Sequence, residues 1–187
     1  MPLKTPGPVL VLLALATMAP GAAGQESAPG LRAPDRVFLN LGRSSRDATV
    51  AGAGLRWESR WRSQRLGGEF SGAFDVSLTH WSAISQGRQA YGQLSLVPLL
   101  RWRPFDGESA WFVEAGIGAS FHHRHYEVGE VRMGSRWNFH DVLALGRTFG
   151  PDGRREWSLR AVHVSNAGIR RPNPGEDLIV LRWSYRY

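Results

Sequence analysis

Glu176-Asp177-Leu178-Ile179-Val180-Leu181-Arg182-Trp183-Ser184-Tyr185-Arg186-Tyr187 is the stretch on which the fold turns. Ile179, Leu181, Trp183, Tyr185 and Tyr187 share one face, and Arg182, Ser184 and Arg186 share the other. A period of two is the mark of a β-strand, whose successive side chains point to opposite sides. Working back along the chain, the same alternation recurs. Leu94, Leu96, Leu100 and Trp102 oppose Ser95, Arg101 and Arg103. Trp111, Val113, Ala115, Ile117, Ala119 and Phe121 oppose Glu114, Gly116, Gly118, Ser120 and His122. Eight such stretches are expected: Asp35–Arg43, Thr49–Arg60, Gly68–Trp81, Tyr91–Arg103, Ala110–Arg124, Ser135–Phe149, Arg155–Asn166 and Glu176–Tyr187. Gly, Pro, Asp, Ser and Asn punctuate them, as turns require.

Composition narrows what eight strands build. The chain has 187 residues, which favours one domain over two. It has no cysteine, which excludes a disulfide framework, a thiolate nucleophile and Cys-based metal sites. Its 42% hydrophobic content is too low for a bundle of membrane-spanning helices. The formal charge is +7, and Lys4 is the only lysine among 23 basic residues. A basic chain with eight tryptophans raises nucleic-acid binding as a first thought. The N-terminus argues against it. Lys4, the apolar run Val9–Ala16 and the small residues Gly21-Ala22-Ala23-Gly24 follow the order of a secretory signal peptide. The run falls well short of the roughly 20 residues that a spanning helix needs. We therefore expect a signal peptide at residues 1–24 and a single β domain at 25–187, exported and without a nucleic-acid partner.

An exported chain of eight alternating strands is either a soluble barrel or a transmembrane one. Trp and Tyr recur near strand ends, where membrane-interface girdles sit. The chain ends on an alternating strand with an aromatic last residue, similar to the C-terminal signal of bacterial outer-membrane barrels. The expected fold is all-β: an eight-stranded antiparallel transmembrane β-barrel of the bacterial outer membrane. Eight strands leave a lumen filled by side chains, so a porin is not expected. Short turns are expected around Gln64, Asp106-Gly107 and Gly150-Pro151-Asp152-Gly153, with longer connections after the third, fifth and seventh stretches. Short periplasmic turns and longer outer loops are the norm, which places both termini in the periplasm.

Parity also picks out a possible site. In the seventh stretch Trp157, Leu159 and Ala161 form the lipid face, and His163 and Ser165 fall on it too. The two are about 7 Å apart along a strand. Polar groups on such a face need partners. In the eighth stretch the same parity puts Asp177 outward, beside His163, and sends Glu176 inward. Asp177 lies at a strand start, so Glu176 competes with it. Ser, His and a carboxylate on one face are the parts of a serine hydrolase: His takes the Ser proton and the acid holds the His tautomer. The connecting residues 166–175 offer oxyanion donors in Asn166, Asn173 and the amides near Ala167 and Gly168. Arg170 and Arg171 stand beside the site, and Arg forks suit phosphate.

His163-Val164-Ser165-Asn166-Ala167-Gly168, followed by Pro172-Asn173-Pro174-Gly175-Glu176-Asp177, resembles the lipid A 3-O-deacylase (PagL) family of Gram-negative outer membranes. The resemblance implies an eight-stranded barrel with a Ser–His–acid triad on its lipid-facing wall. It implies His163 as base and Ser165 as nucleophile. The family's acid, commonly Glu, falls on Asp177 by ungapped spacing. It further implies lipid A (lipopolysaccharide) as substrate, with Arg170 and Arg171 available to its phosphates, and no cofactor. No metal set is expected; His123 and His125 share a strand face but read as loop histidines. A homodimer stays open. Two rival readings are a non-enzymatic small barrel, such as an adhesin or membrane-integrity protein, and a lipid A acyltransferase.

Overall fold

A computed structural model describes residues 32–83, 89–128 and 131–187 of the chain. The expected signal peptide, residues 1–24, lies outside the described residues. Eight strands form one closed antiparallel barrel: β1 (Arg36–Ser44), β2 (Ala48–Arg65), β3 (Gly68–Ala83), β4 (Gln89–Pro104), β5 (Trp111–His122), β6 (Trp137–Phe149), β7 (Arg155–Ser165) and β8 (Glu176–Arg186). Each strand pairs with its neighbours in sequence, and β1 closes on β8 from Arg36↔Arg186 to Ser44↔Leu178. Closure removes the unpaired edges that lipid cannot satisfy.

The alternation sorts side chains by environment as expected. Leu41, Leu78, Leu96, Leu100, Ile117, Leu143, Leu145, Leu159, Ile179 and Leu181 are exposed on the outer wall. Trp111, Trp157 and Tyr187 are exposed at the end where β1 starts and β8 finishes, and Trp137 at the other. An apolar belt with aromatic rims is the exterior of a transmembrane barrel.

The polar face turns inward, where every charge must find a partner. Arg56 bonds Asp75 at 2.7 Å and Glu114 at 2.6 Å. Arg160 reaches Glu114 at 3.0 Å, and Arg101 joins Glu114 at 2.7 Å to Glu156 at 2.8 Å. Arg36 contacts Glu58 and Glu156, and Arg182 contacts Asp75. Towards the other end the lumen becomes apolar and aromatic. Trp81 meets His122 and Tyr126 edge-on at 5.3 and 5.2 Å, and Tyr91 lies 5.0 Å from Tyr126. The lumen is packed, as an eight-stranded barrel requires.

Two details depart from the sequence expectation. The turn placed around Gln64 is Leu66-Gly67, with φ of 54° and 64°, a two-residue hairpin. β2 runs on through Arg60–Arg65 beyond the apolar belt, where polar residues show no alternation to count. A short extra hairpin also pairs Glu127–Val128 with Val131–Arg132, within the connection between β5 and β6. Strand pairs of two residues are too short for a periodic signal.

The turns at Leu66-Gly67, 105–110 and 150–154 cluster at one end with the start of β1 and the end of β8. The connecting residues 123–128, 131–136 and 166–175 lie at the opposite end, which is the outer one by the usual asymmetry.

Candidate active site

β7 and β8 carry the site side by side. Their register pairs His163 with Asp177 and Ala161 with Ile179. On its other flank β7 pairs with β6, Phe139 opposite Ser165, Asp141 opposite His163 and Leu143 opposite Ala161. The outer wall thus reads in rows. One row runs Ile117, Asp141, His163, Asp177 across four strands, and the next runs Ala115, Leu143, Ala161, Ile179, Arg43.

His163 Nδ1–H donates to Asp177 Oδ1 at 2.7 Å. In the neutral imidazole that bond holds the proton on Nδ1, so Nε2 is the nitrogen that can act as a base. Ser165 lies one row above on the same outward face. Its parity is that of the lipid face, yet it is only 8% exposed. The cover is the connection 166–175. A Cβ built on Gly175 would come within 2.8 Å of His163 Cε1 and 3.7 Å of Ser165 Cβ, so the Gly175 backbone lies against both residues.

Glu176, the competing acid, points away from His163. It is fully buried on the inner face. Its carboxylate accepts from Arg46 Nη1 at 3.0 Å, from the Arg46 amide at 3.2 Å and from Ser45 Oγ at 3.3 Å. Arg46 also donates to the carbonyls of Pro174 and Gly175. The Ser45 amide bonds the Asp177 carbonyl at 2.8 Å. The short connection between β1 and β2 therefore pins the start of β8. Burial first, and the nearby Glu176 carboxylate second, raise the Tyr126 phenol above its ordinary value.

The loop after Ser165 is tied through one side chain. Asn166 is 3% exposed. Its Oδ1 accepts from the Gly168 amide at 3.0 Å, and its Nδ2 donates to Arg170 O at 2.8 Å and Ser135 Oγ at 2.9 Å. The Asn166 amide donates to Asn173 Oδ1 at 2.9 Å. Asn166 is thereby committed to holding the loop, whereas Asn173 lends it only an acceptor and its Nδ2 has no hydrogen-bond partner among the described residues. Gly168 spends its amide on Asn166, whereas the Ala167 amide has no acceptor among the described residues. Ala167 and Gly168 adopt φ of 51° and 78°, and this left-handed pair turns the chain sharply past Ser165. Of the oxyanion candidates, the Ala167 amide and Asn173 Nδ2 are the donors left without an acceptor among the described residues.

Below His163 the wall is hollowed. A groove of about 810 Å³ is lined by Ala115, Ile117, Leu143, Ala161 and Ile179, with His163, Asp177, Asp141 and Arg43 at its head. Alanines at 115 and 161 among larger neighbours make the depression. Arg170 and Arg171 are exposed on the loop and do not line it. The guanidinium there belongs to Arg43, which pairs with Asp47 at 2.5 Å. Arg43, Arg46 and Asp141 escaped sequence reasoning because barrel closure and the β6–β7 register bring them to the site. Among the described residues no group of three or more His, Asp or Glu is placed to hold a metal. His123 Nδ1 accepts from the Gly92 amide, and His125 Nδ1 lies 3.0 Å from the Met133 carbonyl.

The chain matches known proteins along most of the barrel. The family model for Lipid A 3-O-deacylase (PagL) matches residues 50–186. The lipid A deacylase PagL of Pseudomonas aeruginosa is 32% identical over 144 residues, covering 74% of this chain and 79% of that one. The lipid A deacylase PagL of Bordetella bronchiseptica is 36% identical over 107 residues, a match spanning 57% of each chain. The crystal structure of the outer membrane enzyme PagL superposes with a TM-score of 0.70 at 29% identity, over 81% of this chain and 99% of that one. With the closed eight-stranded barrel and the residues it gathers on its outer wall, these matches establish that the chain belongs to the lipid A 3-O-deacylase (PagL) family.

Proposed function

We propose that this protein is an outer-membrane esterase that hydrolyses the ester-linked 3-O acyl chain of lipid A by a Ser165–His163–Asp177 mechanism. The observation that carries the proposal is the His163–Asp177 bond of 2.7 Å on a lipid-facing wall, one row from Ser165 and at the head of an apolar groove. Polar residues on such a surface are costly and are retained where they act.

The steps follow from the tautomer. Ser165 Oγ attacks the acyl carbonyl while its proton passes to His163 Nε2. Asp177 stabilises the imidazolium. The Ala167 amide and Asn173 Nδ2 are the donors open to the oxyanion. Collapse breaks the ester bond, and the sugar hydroxyl leaves with the proton from His163. Water from the headgroup level then attacks the acyl-enzyme, its proton going first to His163 and then to Ser165, which releases the fatty acid. The acyl chain occupies the groove, whose apolar lining matches it.

The test is mass spectrometry of lipid A after incubation with the purified barrel. Loss of one hydroxyacyl chain is expected, and Ser165→Ala is expected to abolish it while the barrel still folds. Retained activity in that variant would sink the mechanism, and gain of an acyl chain would indicate transfer to an acceptor other than water.

A further inference from the structure

Two arginines on the outer wall have no acid to meet. Arg147 on β6 and Arg155 on β7 are exposed, and neither has a hydrogen bond or an ion pair among the described residues. Their surroundings are aromatic. One outward row runs Trp111, Arg147, Trp157, Trp183 from β5 to β8, and the row beneath it runs Phe149, Arg155, Tyr185. The Arg147 guanidinium lies 5.5 Å from the Trp111 ring centroid and 5.2 Å from that of Phe149. Such rings hold a cation in place without neutralising it. The acids next to the pair in sequence are engaged elsewhere. Asp152 pairs with Arg154 at 3.6 Å, and Glu156 is buried in the lumen against Arg36 and Arg101. At the opposite end the outward Arg43 does have its acid, Asp47.

Position and spacing say what completes the pair. Arg147 and Arg155 lie towards the end that carries the short turns, which faces the periplasm. That is the headgroup level of the inner leaflet, where a long basic side chain lays its stem on apolar surface and keeps its charge at the interface. Arg147 stands opposite Trp157, and Arg155 opposite Phe149. The two arginines are thus diagonal neighbours on adjoining strands, about 7–8 Å apart at the backbone. Both guanidinium forks can close on one phosphate from there, each through paired N–H···O bonds.

We infer that Arg147 and Arg155 form a binding site for an anionic glycerophospholipid of the inner leaflet, its phosphate held between the two guanidiniums and its glycerol end against Trp157. Two uncompensated positive charges favour a headgroup that adds no cation of its own. Phosphatidylglycerol is therefore preferred to phosphatidylethanolamine, whose ammonium group the arginines repel. Trp157 lies about 20 Å along β7 from His163. Lipid binding there uses none of Ser165, His163 and Asp177, so it is read without any hydrolysis and stands or falls apart from the esterase reading.

Native mass spectrometry provides the test, with the purified barrel released from detergent micelles that contain phosphatidylglycerol and phosphatidylethanolamine of matched acyl chains. The wild type is expected to retain phosphatidylglycerol over phosphatidylethanolamine by at least ~5-fold. The double variant Arg147→Gln, Arg155→Gln should bring that ratio close to one. Its folding is checked by the heat-dependent shift on gels. Should it fail to fold, each single variant should lower the ratio on its own. Arg170→Gln with Arg171→Gln, at the opposite end, should leave the ratio as it is in the wild type. A wild-type ratio near one overturns the inference, as does a ratio untouched by glutamine at 147 and 155. So does a ratio lost in the Arg170, Arg171 variant, which would place the lipid at the outer rim. A dimer in lipid-free micelles that the substitutions at 147 and 155 dissociate would also overturn it, because a second copy would then be the occupant.

Discussion

Gly175 lies against His163 so closely that a Cβ on it would stand 2.8 Å from the imidazole Cε1. Its φ of 64° adds a backbone penalty for any side chain there. Gly175→Ala should therefore displace the imidazole or the loop. Ester hydrolysis is expected to fall by about 100-fold, since small misplacements of a catalytic group are that costly. The barrel itself should survive, as judged by its heat-dependent shift on gels. Undiminished hydrolysis would mean that the contact has no part in placing His163.

Adjacent acids with opposite orientations should give opposite phenotypes. Asp177→Asn replaces the acceptor for His163 Nδ1–H with a group that favours the wrong tautomer. Activity is expected to drop by about 10²–10⁴-fold at nearly constant stability. Glu176→Gln leaves His163 and Asp177 in place but weakens the hold on Arg46. It should cost about 1–3 kcal/mol in unfolding by urea, with a smaller loss of activity. Arg46→Ala should behave likewise, and the double variant should cost less than the sum of the two. If Glu176→Gln were the inactive variant and Asp177→Asn the active one, the acid assignment would have to be exchanged.

The groove makes a prediction about chain length. Ala161→Phe would fill the row below His163, where Leu143 and Ile179 are its neighbours. Cleavage of esters with short acyl chains should persist, whereas rates on long chains should fall by at least ~10-fold. A length profile identical to the wild type would show that the acyl chain lies elsewhere.

How far the site was legible depends on which contacts are local. His163, Ser165 and Asp177 were readable because each lies an even number of residues from apolar neighbours on its own strand. The inward turn of Glu176 followed from the same count. Arg46 and Asp141 were not readable. Arg46 meets Glu176 only because β1 closes on β8, and Asp141 meets the site through the pairing of β6 with β7. Neither relationship leaves a periodic trace in the chain. Arg170 and Arg171 are exposed on the loop beside the site, and the guanidinium lining the groove is that of Arg43, which nearness in sequence does not reveal. The tight path expected of 166–175 is present, although Asn166 spends its side chain on holding the loop rather than presenting a free donor. The basic composition misled in one respect. Arg36, Arg56, Arg101, Arg160 and Arg182 are buried against carboxylates in the lumen, so much of the positive charge is unavailable to any partner.

Those lumen pairs have a mechanical consequence. Arg56 on β2 grips Asp75 on the adjoining strand and Glu114 on β5, across the bore. Such struts resist flattening of the cylinder. The barrel is a braced post. Two of its eight strands carry His163, Ser165 and Asp177, and the braced strands around them keep that face rigid.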